Sequence, residues 1–190
     1  MSTIVVSENV TADGVMKDPT GEEGTAAGGW FQEVSGEDLQ QWSKVLADEA
    51  FEAEAMLMGR GSYDYFVARG WLDRDGAWAQ RLRDIPKYVL SSTLRDPQWS
   101  NTTVISGDPV EATEQLLREV DGTILVNASG RLVTTLWRAG LVDELRLVLF
   151  PTVVGGRGGF ADPGRRTRLQ LHDIRRIGDS LVQLRYAVTR

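Results

Sequence analysis

The feature that most constrains this chain is the repeated alternation of short apolar segments with segments of helical periodicity. Five short runs have the length and apolar character of buried strands, and they lie at residues 3–7, 55–59, 87–92, 102–106 and 123–126. Such alternation is typical of a mostly parallel sheet with helices on its faces. The sequence therefore predicts an α/β protein.

Helix signals separate most of these runs. The first helix is predicted over residues 35–54, where the opening serine and Asp38 form an approximate capping box. A second, YDYFVARG, is expected to end at Gly70. A third opens with Asp108 as its cap, followed by proline, and a fourth covers residues 131–139. Each helix is long enough to connect neighbouring parallel strands.

The last third of the chain departs from this alternation. Residues 143–154, 167–177 and 180–188 are predicted strands with no helix between them, and Gly178-Asp179 is suited to a hairpin turn. The sheet is therefore expected to be mixed, parallel early and antiparallel at its C-terminal end.

Composition excludes several classes of protein. With 190 residues and 42% hydrophobic content, residues 1–190 are expected to form a single domain. A net charge of -6 argues against a general nucleic-acid or anionic-membrane surface, and zero cysteines exclude disulfides and thiolate chemistry. No secretory signal or membrane-length apolar run is present, so a cytoplasmic location is expected.

Small and basic residues follow three of the predicted strands. Gly59, Ser129 and Gly130 would let a phosphate approach the backbone, Arg60 would add positive charge, and Ser91-Ser92 would add donors. In open α/β sheets, ligands bind beyond the carboxyl ends of the strands. We call these three strand ends, at residues 59–62, 90–92 and 127–130, the corners. Three corners of this kind fit a dinucleotide better than a single phosphate.

Each corner also has a plainer interpretation. Gly59-Arg60-Gly61-Ser62 also fits a glycine-bearing turn with a helix cap, and residues 127–130 also fit a tight loop without a ligand. Neither the G-x-G-x-x-G nor the P-loop pattern occurs, so those explanations of phosphate binding fail.

Four segments resemble the dihydrofolate reductase family, in the branch similar to the riboflavin-biosynthesis reductase domain. They are AMLMGRGSYDYF, PKYVLSSTL, ILVNASGRLVTTLWRAGLVDELRLVLFPTVVGGRGGF and LVQLRYAV. The resemblance covers most of the chain in order, and GLVDELRL with the following P and GGRG is its most specific portion. It implies a three-layer fold with helices on both faces of the mixed sheet, a small-molecule substrate, and a homodimer.

The resemblance also implies NADPH as the cofactor. Gly59, Arg60 and Ser62 match the loop that holds the adenosine phosphate side, and Leu90 with Ser91-Ser92 matches the strand end that contacts the ribose 2′-phosphate. The remaining matches belong to the turn under the pyrophosphate and nicotinamide. The full cofactor set is Gly59, Arg60, Gly61, Ser62, Leu90, Ser91, Ser92, Asn127, Ala128, Ser129, Gly130, Arg131 and Leu132.

Ala128 departs from the family pattern, because a glycine is usual at this position. Its methyl group either pushes the cofactor outward or is tolerated, if the local φ is negative.

Candidate groups for the chemistry are few. Asp13 is the proposed polar group at the mouth of the site, with a turn-forming Asp-Gly as the alternative. Trp30, in a glycine-rich loop, is proposed to stack on a flat substrate, with a core role as the alternative. The first helix carries six carboxylates, most of them expected on a solvated face, and none matches the folate-enzyme signature: Glu37, Asp38, Asp48, Glu49, Glu52 and Glu54. No metal site is expected.

The leading hypothesis is an NADPH-dependent reductase of a small heterocyclic, pterin-like or pyrimidine-like, or carbonyl substrate. An NADP(H)-binding protein without turnover is one alternative. Another is a reductase of phosphorylated pyrimidine ribosides, as in riboflavin synthesis, for which Arg157, Arg165 and Arg166 are the nearest basic residues.

Overall fold

The central element is an eight-stranded sheet, described here from a computed structural model that covers residues 2–155 and 166–189. Its strand order is β4-β3-β2-β5-β1-β6-β8-β7. The strands are β1 (Thr3–Thr11), β2 (Ala55–Gly59), β3 (Lys87–Leu90), β4 (Thr102–Ile105), β5 (Thr123–Asn127), β6 (Glu144–Phe150), β7 (Arg168–Ile177) and β8 (Leu181–Thr189).

Helices cover both faces of this sheet. They are α1 (Gly36–Glu52), α2 (Arg60–Ala68), α3 (Ala77–Asp84), α4 (Pro109–Glu119) and α5 (Gly130–Ala139), with a 3-10 helix at Trp30–Glu33. One apolar core joins α4 and α5 to the sheet, and a second joins α1, α2 and α3 to its opposite face. The predicted three-layer α/β architecture is confirmed.

The pairing confirms the mixed sheet. Strands β1 to β6 pair in parallel, whereas β8 pairs antiparallel with both β6 and β7. Gly178, with φ of 57°, lies in the predicted turn between β7 and β8. Glycine adopts this left-handed conformation without the steric cost that a Cβ brings.

Two strand boundaries differ from the prediction. Strand β1 continues to Thr11 because its polar residues Ser7 and Glu8 are buried, although their polarity ended the apolar run in the sequence. Strand β6 ends at Phe150 rather than residue 154, because Pro151 follows it and lacks the N–H that a ladder needs.

Of the two helix caps predicted from the sequence, one forms and the other does not. Asp108 caps α4 as expected, accepting hydrogen bonds from the N–H groups of Val110 and Glu111. The capping box of α1 does not form: Ser35 makes no side-chain cap, and Asp38 instead accepts the Ser180 N–H at 3.2 Å. The carboxylate is therefore used to hold the β7–β8 turn against α1.

Helix α3 was not anticipated, and it lies in the connection between β2 and β3.

Along residues 2–155 and 166–189, no helix is both long and apolar enough to cross a membrane. The same residues hold no group of three or more Asp, Glu or His arranged to bind a metal ion.

Candidate cofactor site

The three corners singled out in the sequence lie side by side. Strands β3, β2, β5 and β1 are consecutive in the sheet and parallel, so their carboxyl ends meet at one edge. Gly59 at the end of β2 pairs with Leu90 at the end of β3, and Asn127 at the end of β5 pairs with Ser7 of β1. The sheet order therefore brings the predicted residues together at a strand-end crevice of the kind that binds ligands.

A serine connects two of these corners. Ser129 Oγ accepts the Gly59 N–H at 3.1 Å and donates to Ser62 Oγ at 2.8 Å. The start of α2 is thereby held against the start of α5, although 67 residues separate the two serines in the chain. The arrangement fixes two helix N-termini next to each other.

Neither helix N-terminus is capped by a side chain in the described residues. Gly59 has no side chain to offer, and the Ser129 hydroxyl is engaged with α2 instead of its own helix. Helix α4, by contrast, is closed by Asp108. Uncapped first-turn N–H groups and the helix dipole together favour an anion at this place.

Two further observations fit a bound phosphate-bearing group. The Asn127 Oδ1 atom is buried and has no hydrogen-bond partner among the described residues. A methyl group placed on Gly59 would come no nearer than 4.0 Å to the closest atom, Ser129 Oγ, so the glycine leaves open space above the turn. A buried orphan acceptor calls for a hydrogen-bond donor, which a hydroxyl or amide group of a phosphate-bearing ligand can supply and its phosphate oxygens cannot.

Arg60 and Ser91 already form hydrogen bonds within the protein. Arg60 donates through Nε to both carboxylate oxygens of Asp64 at 2.8 Å, and its outer nitrogens have no hydrogen-bond partner among the described residues. Ser91 Oγ accepts the N–H groups of Thr93 and Leu94, and Ser92 is exposed. Arg157 and Arg165 lie outside the described residues, and Arg166 is exposed.

Comparison with known proteins decides the family. A model of the RibD C-terminal domain matches residues 2–183. The chain belongs to the RibD C-terminal domain family. Within it, the chain is 27% identical over 140 residues to the uncharacterised protein YyaP of Bacillus subtilis, across 71% of this chain and 74% of YyaP.

Solved structures place this RibD C-terminal domain protein in the dihydrofolate-reductase-like fold. A Shewanella sp. PV-4 protein assigned to riboflavin biosynthesis superposes with a TM-score of 0.75 at 19% identity, covering 99% of each chain. Dihydrofolate reductase from Enterococcus faecalis, solved with NADP(H), superposes with a TM-score of 0.59 at 12% identity, over 99% of this chain and 97% of the reductase. The fold recognised in the sequence is confirmed.

In this RibD C-terminal domain protein, residue 128 has a left-handed backbone conformation. Ala128 has φ of 51° and the adjacent Ser129 has φ of 63°. The negative φ that would have made the alanine harmless is therefore absent. An L-residue with a Cβ costs roughly 1–2 kcal/mol in this conformation, and glycine avoids that cost.

Substituting Ala128→Gly is expected to raise the free energy of unfolding by about 1 kcal/mol, because the relief of steric strain exceeds the added entropy of the unfolded chain. Chemical denaturation at pH 7 measures the change. Ala112→Gly in α4 is the matched control and should destabilise by about 1 kcal/mol, since that position is helical. Equal signs for the two variants would contradict the argument.

Asp13 connects the turn after β1 to the segment that follows β6. Its Oδ1 accepts the Thr11 hydroxyl at 2.6 Å, and its Oδ2 accepts the Gly155 N–H at 2.8 Å. The Thr11 hydrogen bond, with those from the backbone at Gly155 and Val154, holds the pKa of Asp13 below its usual range. An ionised Asp13 can orient a ligand or stabilise charge, but it holds no proton to deliver at neutral pH.

Trp30 is not the exposed ring that the sequence suggested. Only 1% of it is exposed, its centroid lies 4.9 Å from that of Phe150, and its Nε1 donates to the Lys17 carbonyl. Phe31 and Trp42 complete the same cluster. The alternative interpretation, a core aromatic, describes its position, because its ring packs against Phe31 and Phe150 and is closed off from solvent.

Two buried carboxyl groups near the strand ends were missed. Glu49, expected among the solvated carboxylates of the first helix, faces the sheet and is 4% exposed, and Glu8 on β1 is 3% exposed. Burial raises the pKa of Glu49, although Ser7, Arg146 and Gln183 oppose this. The apolar spacing of α1 could have placed Glu49, since it follows Val45 and Leu46 by four and three positions.

Proposed function

We propose that this protein is an NADPH-dependent reductase that transfers hydride to a small heterocyclic, pterin-like or pyrimidine-like, or carbonyl substrate. The observation that carries the proposal is the pair of adjacent, uncapped helix N-termini at α2 and α5, held together by Ser129. Membership of the RibD C-terminal domain family and the fold shared with reductases support it.

In this proposal each corner has a separate part in holding the cofactor. The first-turn N–H groups of α5, with Ser129 and Gly130 at its start, bind the pyrophosphate. Arg60, oriented by Asp64, faces the 2′-phosphate together with Ser91 and Ser92. NADPH, when bound, supplies the hydride, and the protein supplies position and electrostatics.

Arg60→Gln is expected to weaken NADPH binding by about tenfold, because a charge-assisted contact to phosphate is lost. Binding of NADH, which lacks the 2′-phosphate, should change much less. Isothermal titration of both cofactors measures the difference. Arg118→Gln, on α4 away from these strand ends, is the matched control and should leave both affinities unchanged.

Turnover is tested separately from binding. Oxidation of NADPH is followed by absorbance with a panel of pterins, pyrimidine ribosyl compounds with and without phosphate, and small carbonyl compounds. Consumption with one class supports the reductase and names its substrate, and consumption only with the phosphorylated pyrimidine ribosides would support a riboflavin-type reductase. Absence of NADPH binding at millimolar concentration would contradict the proposal.

The second candidate is an NADP(H)-binding protein without turnover. It is favoured by the aromatic cluster of Trp30, Phe31, Trp42 and Phe150, which fills space between α1 and the sheet. It is also favoured by the low pKa of Asp13, which leaves that carboxylate without a proton. Tight NADPH binding with no oxidation across the panel would support this candidate.

A further inference from the structure

Glu8 is a buried acid in the centre of the sheet. It lies on β1, is 3% exposed, and its Oε1 has no hydrogen-bond partner among the described residues. Nothing in the reductase chemistry proposed above uses it. A buried carboxyl group with an unpartnered oxygen is costly, so its position is informative.

The side chain of Glu8 lies on the face of the sheet that α5 covers. Residues alternate between faces along a strand, and Ile4 and Val6 of β1 belong to the apolar core that contains α5. Glu8 follows Val6 by two positions and pairs with Leu147 of β6. It therefore points to the same side as that core.

Along the strand, Glu8 is level with the start of α5. The last pair between β1 and β5 joins Ser7 to Asn127, after which β5 turns through Ala128 and Ser129 into the helix. Glu8 is therefore one residue beyond the last paired position, where the chain of β5 has left the sheet towards α5. The carboxyl group is thus in the layer beneath the helix N-terminus that the proposed function assigns to the pyrophosphate.

The surroundings of Glu8 keep it neutral. Burial alone raises its pKa to about 8, and no charged group contributes to the shift. The apolar core on this face includes Val6, Leu147, Leu132 and Val133, and its titratable members are Tyr88 on β3 and Tyr186 on β8; the charged residue in the first turn of α5, Arg131, is exposed. The acid is protonated at pH 7 and ionises under mildly alkaline conditions.

We propose that Glu8 controls anion binding at the N-terminus of α5: as a neutral acid it permits a phosphate-bearing ligand to dock there, and as a carboxylate it opposes docking. The inference rests on the proposed NADPH site. It adds to that site a residue that adjusts affinity from beneath the helix without being part of the strand-end turns.

The physical reason is direct repulsion in a poorly screened environment. A carboxylate buried beneath the helix would cancel part of the positive potential of the α5 N-terminus and repel the pyrophosphate. At an effective dielectric of roughly 20, a carboxylate within about 10 Å of a phosphate charge would weaken binding by about tenfold or more. Salt screens such a buried charge only weakly.

The test compares NADPH affinity at pH 7 and pH 9 for the wild type and Glu8→Gln, by calorimetric titration. The wild type should lose about tenfold more affinity than the variant between these pH values, because only the wild type acquires the buried charge. Glu49→Gln is the matched control: it removes a buried acid on the opposite face and should keep the wild-type pH profile.

Stability measurements show whether Glu8 titrates as described and whether the variants fold. The folded-state pKa is raised, so the folded protein holds a proton that the unfolded chain releases between pH 4.5 and 8. The free energy of unfolding attributable to Glu8 must therefore fall as pH rises through that window, and Glu8→Gln should remove this slope. If Glu8→Gln does not fold, Glu8→Leu replaces it.

Parallel loss of affinity in the wild type and the Glu8 variant would overturn this inference while leaving the NADPH site intact. Absence of NADPH binding at pH 7 in every protein would overturn the proposed function, and the inference with it. A wild-type loss that Glu49→Gln abolishes and Glu8→Gln retains would also overturn the inference, because it assigns the effect to the other face.

Discussion

Replacing Arg146 by methionine is expected to lower the free energy of unfolding by about 3–5 kcal/mol at pH 7. Arg146 is 4% exposed on β6, and its guanidinium contacts Glu144 at 2.7 Å, Glu52 at 3.1 Å and Glu49 at 3.7 Å. Removing it leaves the carboxyl of Glu49, itself buried beneath α1, without its nearest positive charge. An uncompensated buried charge is among the most destabilising changes a single substitution makes.

Glu49 determines how that loss depends on conditions. Its carboxyl accepts Gln183 Nε2 at 2.7 Å, and its other oxygen is buried without a partner in the described residues. The defect of Arg146→Met should therefore shrink at pH 5, where Glu49 can take up a proton. The double variant Arg146→Met with Glu49→Gln should recover at least half of the loss, because no buried charge remains.

Arg185→Met is the matched control for Arg146→Met. Arg185 contacts the same Glu144, at 2.9 Å, but its side chain is 26% exposed. Its removal should cost no more than about 1 kcal/mol, because water still reaches its side chain and screens the ion pair. Chemical denaturation of the four proteins gives the comparison, and equal losses for Arg146 and Arg185 would contradict the role assigned to burial.

Lys87→Met is expected to destabilise by about 3–5 kcal/mol. Lys87 on β3 is fully buried, and its Nζ donates to the carbonyl oxygens of Leu82 at 2.6 Å, Ile85 at 2.7 Å and Arg83 at 3.1 Å. These carbonyls belong to the end of α3, whose last turn has no helical N–H groups to bond them. The ammonium group therefore caps the C-terminal end of α3, and the side chains of Ser100 and Asn101 also donate to the Arg83 carbonyl.

The methionine variant preserves the aliphatic packing of Lys87 and removes only the donor. Lys44→Met, at an exposed position of α1 paired with Asp48, is the control and should change stability by less than about 0.5 kcal/mol. Urea unfolding at pH 7 measures both. A loss below about 1 kcal/mol for Lys87→Met would show that water replaces the lost hydrogen bonds and that the cap is dispensable.

The positions of the three strand ends that form the candidate site could be predicted from sequence because their information is local. Gly59 and the turn at 127–130 follow apolar strands directly, and small residues at such junctions have few structural uses. The mixed, mostly parallel sheet was also predicted and is confirmed, whereas the order of its strands was observed only in the structure. What local sequence did not reveal is the hydroxyl bridge of Ser129, since its partners are some 70 residues away.

Polar residues inside strands and helices were the main source of error. Glu8 and Glu49 look like surface residues because charged side chains are mostly exposed. Their burial depends on which elements lie above them, α5 in one case and the sheet in the other. For Trp30 the sequence left a stacking role and a core role open, and its contact with Phe150, distant in the chain, decided for the core.

The amino-acid sequence by itself determined the alternation of strands and helices, the mixed sheet and the three strand ends that meet at one edge. Those properties follow from periodicity and from residues adjacent in the chain. Only the tertiary structure decided which carboxyl groups are buried, which serine connects the two helices, and that Ala128 is left-handed. Desolvation and long-range contact depend on neighbours that are distant in sequence, so no local pattern encodes them.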